Sequence, residues 1–299
     1  MSLLVVGSCA IDTVETPHGL AKDIQGGSAT YCSYAATFFS PVRLVGVVGT
    51  DFPETFMETY RSRPIDLAGL VRANGKTFRW HGRYEGDMGS ATTVSVELNL
   101  LAEHRPRVPE AFRTSRYLFL ANAGPEVQGG VLDQVEKPKF VLCDTMNLWI
   151  ETERRALLDL VRRVDGLILN DMELFLLTGN HNTIRAAQQA LDLGPKLLVV
   201  KKGEHGAMLF TRDEFFAIPA FPVAHVVDPT GAGDTFAGGF MGYIAEADRT
   251  DFSAMKRALL YGNTMASFVV EGFGIEGIRR VTRDQVDRRY EAFLRMITV

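Results

Sequence analysis

Residues Asp228 to Phe240 read DPTGAGDTFAGGF: an acid and a proline, a glycine-alanine-glycine turn, a second acid, then small residues. The stretch before Asp228 (Pro-Val-Ala-His-Val-Val) has an extended pattern and Thr235–Ala247 a helical one, so the turn falls at a helix N-terminus. Glycine lets the backbone bend sharply and approach a ligand with no Cβ in the way. The free N–H groups of a first turn, with the positive end of the helix dipole, favour an anion. A carboxylate at Asp234 is out of place there unless it has a task. In phosphoryl transfer to an alcohol, one acid takes the hydroxyl proton while nearby amides stabilise charge on the transferred group. Asp234 fits the first role, and Gly231, Ala232 and Gly233 fit the second. The same GAGD would also suit a helix whose acid is merely an N-terminal cap.

Competing nucleotide motifs are absent. No G-x-x-x-x-G-K-[ST] occurs, and G-x-G-x-x-G fails because Phe236 stands where the third glycine belongs. The HRD and DFG pattern of protein kinases is missing too.

The elements that would hold such a loop follow from the apolar pattern. Strand-like runs occur at Leu3–Gly7, Val42–Val48, Tyr117–Ala121, Phe140–Cys143, Gly166–Leu169 and Lys196–Val200. Helical patterns lie between them at about Ser28–Phe39, Pro53–Arg63, Gln128–Val135, Glu153–Val164, Asp171–Thr178 and Ile184–Leu191. Continuous apolar strands alternating with helices predict a mostly parallel sheet covered on both faces. The C-terminal third predicts a hairpin (Ala207–Thr211 with Phe215–Pro219) and helices at about Asp234–Ala247, Phe252–Val270 and Arg283–Ile297. Val286, Tyr290, Phe293 and Ile297 give the last of these a buried stripe. From Lys76 to Leu100, KTFRWHGRYEGDMGSATTVSVELNL breaks the rhythm with two β-rich runs joined through glycine, an antiparallel flap that is either an edge decoration or a lid.

At 299 residues, with 46% hydrophobic and 23% charged residues, the chain has the composition of one globular domain with a sizeable core. Its 32 basic and 36 acidic residues are scattered, which speaks against a nucleic-acid or membrane-surface partner. No signal-peptide or membrane-spanning pattern is present. Cys9, Cys32 and Cys143 lack metal-ligand spacing and lie in or beside apolar segments, as expected of buried reduced thiols in a cytoplasmic protein.

DPTGAGDTFAGGF closely resembles the C-terminal signature of the ribokinase-like (PfkB-type) carbohydrate and nucleoside kinases. Further landmarks occur in the family's order. Gly26-Gly27-Ser28-Ala29 is similar to the family's di-glycine turn, and Asp12 follows the first strand where the family has a substrate-binding acid. Asn170-Asp171-Met172-Glu173 matches N-x-x-E, and Lys202-Gly203-Glu204-His205-Gly206 resembles the nucleotide-contacting strand-turn. The resemblance implies a three-layer αβα sandwich over residues 1–299, with a small antiparallel β lid formed by about 12–25 and 74–100. It implies ATP and Mg²⁺, Asp234 as base and the amides of Gly231 to Asp234 as anion hole. Asn170 and Glu173 would hold Mg²⁺ partly through water, although an asparagine cap with a first-turn acid looks the same. Asp12, Gly26, Gly27 and Ser28 would meet the acceptor, Asp12 being also a plausible plain turn residue. Lys202, Gly203 and Gly206 would border the nucleotide, with Asn263 near the purine. Lys201 and Lys202 would face phosphates or simply end a strand. Asp228 and Thr230, with backbone oxygens near Gly272–Gly274, resemble a monovalent-cation (K⁺) site of some members, and lids of this kind pair in homodimers.

This chain departs from the family at the acceptor. Tyr31 stands where sugar kinases of the family often carry an asparagine, and Leu120–Glu126 lacks the acid that ribose-phosphorylating relatives carry, leaving Asn122 as the nearest polar group. Trp80, with Phe78, His81 and Tyr84, would give the lid aromatic faces for a sugar or a base. The expectation is an ATP-dependent kinase acting on a hydroxymethyl group of a small carbohydrate. The alternatives are a nucleoside kinase and a non-catalytic ligand-binding relative.

Overall fold

Leu3 and Val5 pack into one hydrophobic core while Leu4 and Val6 pack into another. Leu197 and Val199 part from Leu198 and Val200 in the same way. Strands with apolar residues on both faces must be covered on both, which is why these runs are continuous in the sequence. The computed structural model describes residues 2–298.

Its strands are β1 (Leu3–Val6), β2 (Ala10–Thr16), β3 (Gly19–Gly26), β4 (Val42–Val48), β5 (Ile65–Arg72), β6 (Phe78–Tyr84), β7 (Ala91–Glu97), β8 (Tyr117–Leu120), β9 (Phe140–Asp144), β10 (Gly166–Asn170), β11 (Leu197–Lys201), β12 (Ala207–Phe210) and β13 (Phe215–Ile218). Nine of them form the central sheet in the order β13-β12-β11-β10-β9-β8-β1-β4-β5. Pairing is parallel from β11 to β5, and antiparallel at the edge where β12 and β13 form the expected hairpin.

One face carries the helices Ala232–Ala247, Phe252–Val269 and Arg283–Ile297, the last through Tyr290 and Phe293. The other carries Pro125–Leu132, Arg154–Val161, Asp171–Thr178 and Thr183–Asp192. This is the three-layer α/β/α sandwich. Chain order runs outward from β1 to β4 and β5 on one side and from β8 to β11 on the other. The topological switch lies between β1 and β8, beside which open α/β sheets bind ligands at the carboxyl ends of their strands.

The flap is a separate four-stranded sheet, β3-β2-β6-β7. Its outer pairs are antiparallel as expected, but β2 and β6 in its centre run parallel. No helix of the described residues is long and apolar enough to cross a membrane. The three cysteines are free and buried.

Candidate active site

Gly231 is the N-cap of the helix Ala232–Ala247, held at φ +73°, and no side chain caps that end. Asp234 sits in the first turn but is not the cap. Each glycine of the turn makes room for a particular neighbour. A Cβ on Gly231 would come within 2.5 Å of the Tyr31 ring, and one on Gly233 within 3.2 Å of Lys201 Nζ. The small residues that follow serve helix–helix contacts. A Cβ on Gly238 would meet the Cys32 backbone, and one on Gly239 the Tyr261 carbonyl, so they let this helix lie against Ser28–Ala36 and Phe252–Val269.

Three adjacent parallel strands end on polar residues at this turn: β9 on Asp144, β10 on Asn170 and β11 on Lys201. Lys201 Nζ lies 3.4 and 3.5 Å from the two oxygens of Asp144, whose side chain is 4% exposed. Burial pushes the Asp144 carboxyl up, with Lys201 and the Thr145 N–H pulling it back. Burial works against the Lys201 ammonium, yet Asp144, Glu173 and Asp234 together hold it above the usual lysine range. Asp234 is pushed up to about 7, first by burial and then by the Asp144 charge, against the pull of Lys201. Asp144 escaped the sequence reading, where the apolar run stops at Cys143; an acid directly after a buried strand was its one signal.

Asn170 and Glu173 form a reciprocal capping box. Asn170 Oδ1 accepts the Glu173 N–H at 2.7 Å, and Glu173 Oε2 accepts the Asn170 N–H at 2.7 Å. Burial raises the Glu173 carboxyl, with Lys201 opposing. The second oxygen of this buried carboxylate is left outside the cap. Among the described residues no three of His, Cys, Asp and Glu close on one point as a metal cage. Glu173, Asn170 and Asp144 are hard oxygen donors, which suits a Mg²⁺ that keeps several waters and is held mainly by substrate phosphates.

Asp12 lies on β2, 4% exposed, and one of its oxygens (Oδ1) has no partner among the described residues. Burial drives its carboxyl up to about 8, with the charges of Asp228 and Asp234 adding and the Gly27 N–H opposing. Gly26 lies so close that any Cβ there would fall inside the Asp12 carboxylate. The turn is braced from behind, since the Gly26 carbonyl accepts from Thr30 Oγ1, itself 2.6 Å from Tyr60 OH. Gly27 has φ +97°, and Ser28 Oγ joins Ser8 to the Asn122 carbonyl across the β1–β8 switch. The Asn122 side chain accepts from Trp149 Nε1 at 2.9 Å. The Tyr31 hydroxyl is buried without a partner, and burial and the Asp12, Asp228 and Asp234 charges hold its phenol well above its ordinary range. From the small sheet, Tyr84 OH comes within 3.3 Å of Thr230 Oγ1, linking β6 to the loop before the GAG turn. Trp80 stays on that sheet, donating to Thr93.

Other expected residues are drawn into local structure. Asp228 is fully buried, and its oxygens accept the N–H groups of Thr230 (2.8 Å) and Gly274 (2.9 Å). Gly274 thus meets Asp228 through its amide. Gly203 and Gly206, both at positive φ, shape the turn between β11 and β12, where the Lys202 N–H donates to the Gly206 carbonyl. Asn263 Oδ1 accepts the Phe221 N–H at 2.9 Å.

The pattern of the pfkB family carbohydrate kinases matches residues 2–277. A cytidine kinase of Thermococcus kodakarensis is 32% identical over 247 residues, covering 81% of this chain and 87% of that protein. Among solved structures, the Burkholderia thailandensis nucleoside kinase in complex with inosine has a TM-score of 0.78 at 20% identity, with 97% of this chain and 98% of that one covered. An Escherichia coli structure holding ATP and Mg²⁺ also gives 0.78, at 19% identity over 97% and 99% of the two chains. With the family pattern matching nearly the whole chain, the chain belongs to the PfkB family of carbohydrate kinases.

Proposed function

We propose that this kinase transfers the γ-phosphoryl group of ATP to a hydroxymethyl group of a small carbohydrate. The carrying observation is Asp234: a carboxyl held near 7, in the first turn of an open helix N-terminus, within electrostatic reach of both Asp12 and the Asp144–Lys201 pair. Asp12 and Tyr31 offer buried polar atoms without protein partners, which an acceptor's hydroxyls would satisfy. The acceptor oxygen bonds to the γ-phosphorus as the bond to the ADP oxygen breaks, and the hydroxyl proton passes to Asp234. The N–H groups of Gly231, Gly233 and Asp234 would meet the oxygens of the transferred group, the Ala232 N–H being taken by the Pro229 carbonyl at 3.1 Å. Mg²⁺, held by phosphates with Glu173, Asn170 and Asp144 through water, would neutralise phosphate charge.

The pH dependence follows from the raised carboxyl. Asp234 must be ionised to take the proton, so kcat/KM, which reports the free enzyme, is expected to fall as pH drops through about 7. A kcat/KM profile whose acid limb instead lay near pH 4, the ordinary aspartate range, would remove Asp234 from the role.

A nucleoside acceptor is the second reading. It is favoured by the cytidine kinase relative and by Phe78, Trp80 and Tyr84 on the lid, whose rings suit a base. The test is ADP release with Mg²⁺ and ATP across pentoses, hexoses, ketose phosphates and nucleosides. Turnover confined to sugars supports the first reading and turnover confined to nucleosides the second. A flat panel with ATP bound would overturn both.

A further inference from the structure

A buried ammonium ought to be used up by its partners, and Lys201 is not. It has three N–H donors, and among the described residues both of its hydrogen bonds go to one carboxylate, Asp144, at 3.4 and 3.5 Å. These are longer than the roughly 2.8 Å of a tight charge-assisted bond. The side chain is 16% exposed, and its stem runs alongside Gly233, which has no side chain to obstruct it. A buried ion pair of this kind adds little net stability over an apolar pair of the same size, so stability does not account for it. The surroundings add to the puzzle, because Asp144, Glu173 and Asp234 place three carboxylates around one cation. What the position does offer is a positive charge with spare donors, at the end of β11 and against the turn that bears the candidate base.

We infer that Lys201 is a catalytic residue: its ammonium, aimed by Asp144 and lying against the Gly231–Asp234 turn, binds the oxygens of the phosphoryl group in transit. The inference rests on the kinase reading above and adds to the amides of the turn a second, charged element of the anion hole. As the acceptor oxygen closes on phosphorus, charge develops on the equatorial and leaving oxygens, and a fixed cation there stabilises the transition state more than bound ATP. Towards this group Asp144, which would also meet Mg²⁺ through water, is a positioning residue acting through the lysine. Lys202, next along the chain, lies in the β11–β12 connection, where its N–H donates to the Gly206 carbonyl.

The test compares Lys201→Met, Lys201→Arg, Asp144→Asn and the double variant Asp144→Asn/Lys201→Met with the parent. The readouts are kcat, KM for ATP, affinity for Mg·ADP and affinity for Mg·ADP with aluminium fluoride and acceptor, which mimics the transferring group. Lys201→Met is expected to lower kcat by about 10²–10³ while ADP affinity stays within about three-fold. Affinity for the aluminium fluoride complex should fall by the same factor as kcat. Lys201→Arg should recover part of the loss, and Asp144→Asn should cost about ten-fold, because the charge remains but its aim is lost. Unchanged kcat in Lys201→Met would overturn the inference. So would equal losses of ADP and of the aluminium fluoride complex, which would put the lysine on the nucleotide's resident phosphates. Should the single variant fail to fold, the double variant leaves no unpaired buried charge, and parent-like turnover in it would be equally decisive. Failure of the kinase reading looks different, since the parent itself would then release no ADP with any acceptor.

Discussion

Asp234→Asn is expected to lower kcat by about 10²–10⁴ and to leave ADP affinity within about two-fold of the parent. The amide fills the carboxylate's space and leaves the turn's N–H groups where they are, so proton removal is the one function lost. Stability should move the other way. The Asp234 carboxyl is raised to about 7 in the fold, above its ordinary 3.8. A raised carboxyl favours the fold while protonated, at low pH, and that contribution is lost as pH rises through about 7. Above this pH the ionised carboxylate works against its buried setting and the Asp144 charge. The substitution should therefore raise Tm at about pH 8, with the gain shrinking towards pH 5. Thermal unfolding at the two pH values beside nucleotide titration checks both parts. A lower Tm together with lost ADP binding would make Asp234 structural.

Gly26→Ala is expected to abolish productive acceptor binding, raising the acceptor KM by about 10²-fold or more while ATP affinity changes little. The added Cβ would occupy the place of the Asp12 carboxylate, so one of the two must move. The backbone has little freedom to yield, because Thr30 holds the Gly26 carbonyl and the Gly27 N–H faces Asp12. Asp12 must turn away instead, removing the unpartnered oxygen offered to the acceptor. Gly130→Ala is a suitable control, since a Cβ there meets nothing within 4 Å. Steady-state kinetics with the acceptor found in the panel decide the matter. An acceptor KM like the parent's would mean that Asp12 does not bind it.

Helix ends were legible where their signals are local. The helices Asp171–Thr178 and Arg283–Ile297 begin and end where the pattern puts them, and both open on capping boxes, Asn170 with Glu173 and Thr282 with Gln285. Such pairs close over three residues and need nothing from the rest of the fold. The layered architecture was legible for a similar reason, since a strand buried on both faces must be apolar throughout. The family signature also marked Asp234 and its turn. The pattern was weaker for β3 and β5, which have many exposed residues and do not stand out as apolar runs.

The rest required the tertiary structure. Asp144 and Lys201 are 57 positions apart and Asp12 and Gly26 are 14 apart in the chain, yet each pair shares one small volume. The runs ending at Cys143, Leu169 and Val200 each stop one residue short of a strand's true end, and the omitted residues are Asp144, Asn170 and Lys201. Apolar periodicity records which residues face the packed layers, so it fades where the strands leave the core and enter a polar site. Sheet register then decides which of those polar ends meet. Asn170 stands beside Lys201 and Ile168 beside Asp144, alignments set by hydrogen bonding between strands remote in sequence. Tyr31 is the same case: its hydroxyl lies among acids because two helices pack closely enough for its ring to rest on Gly231, a contact no local pattern encodes.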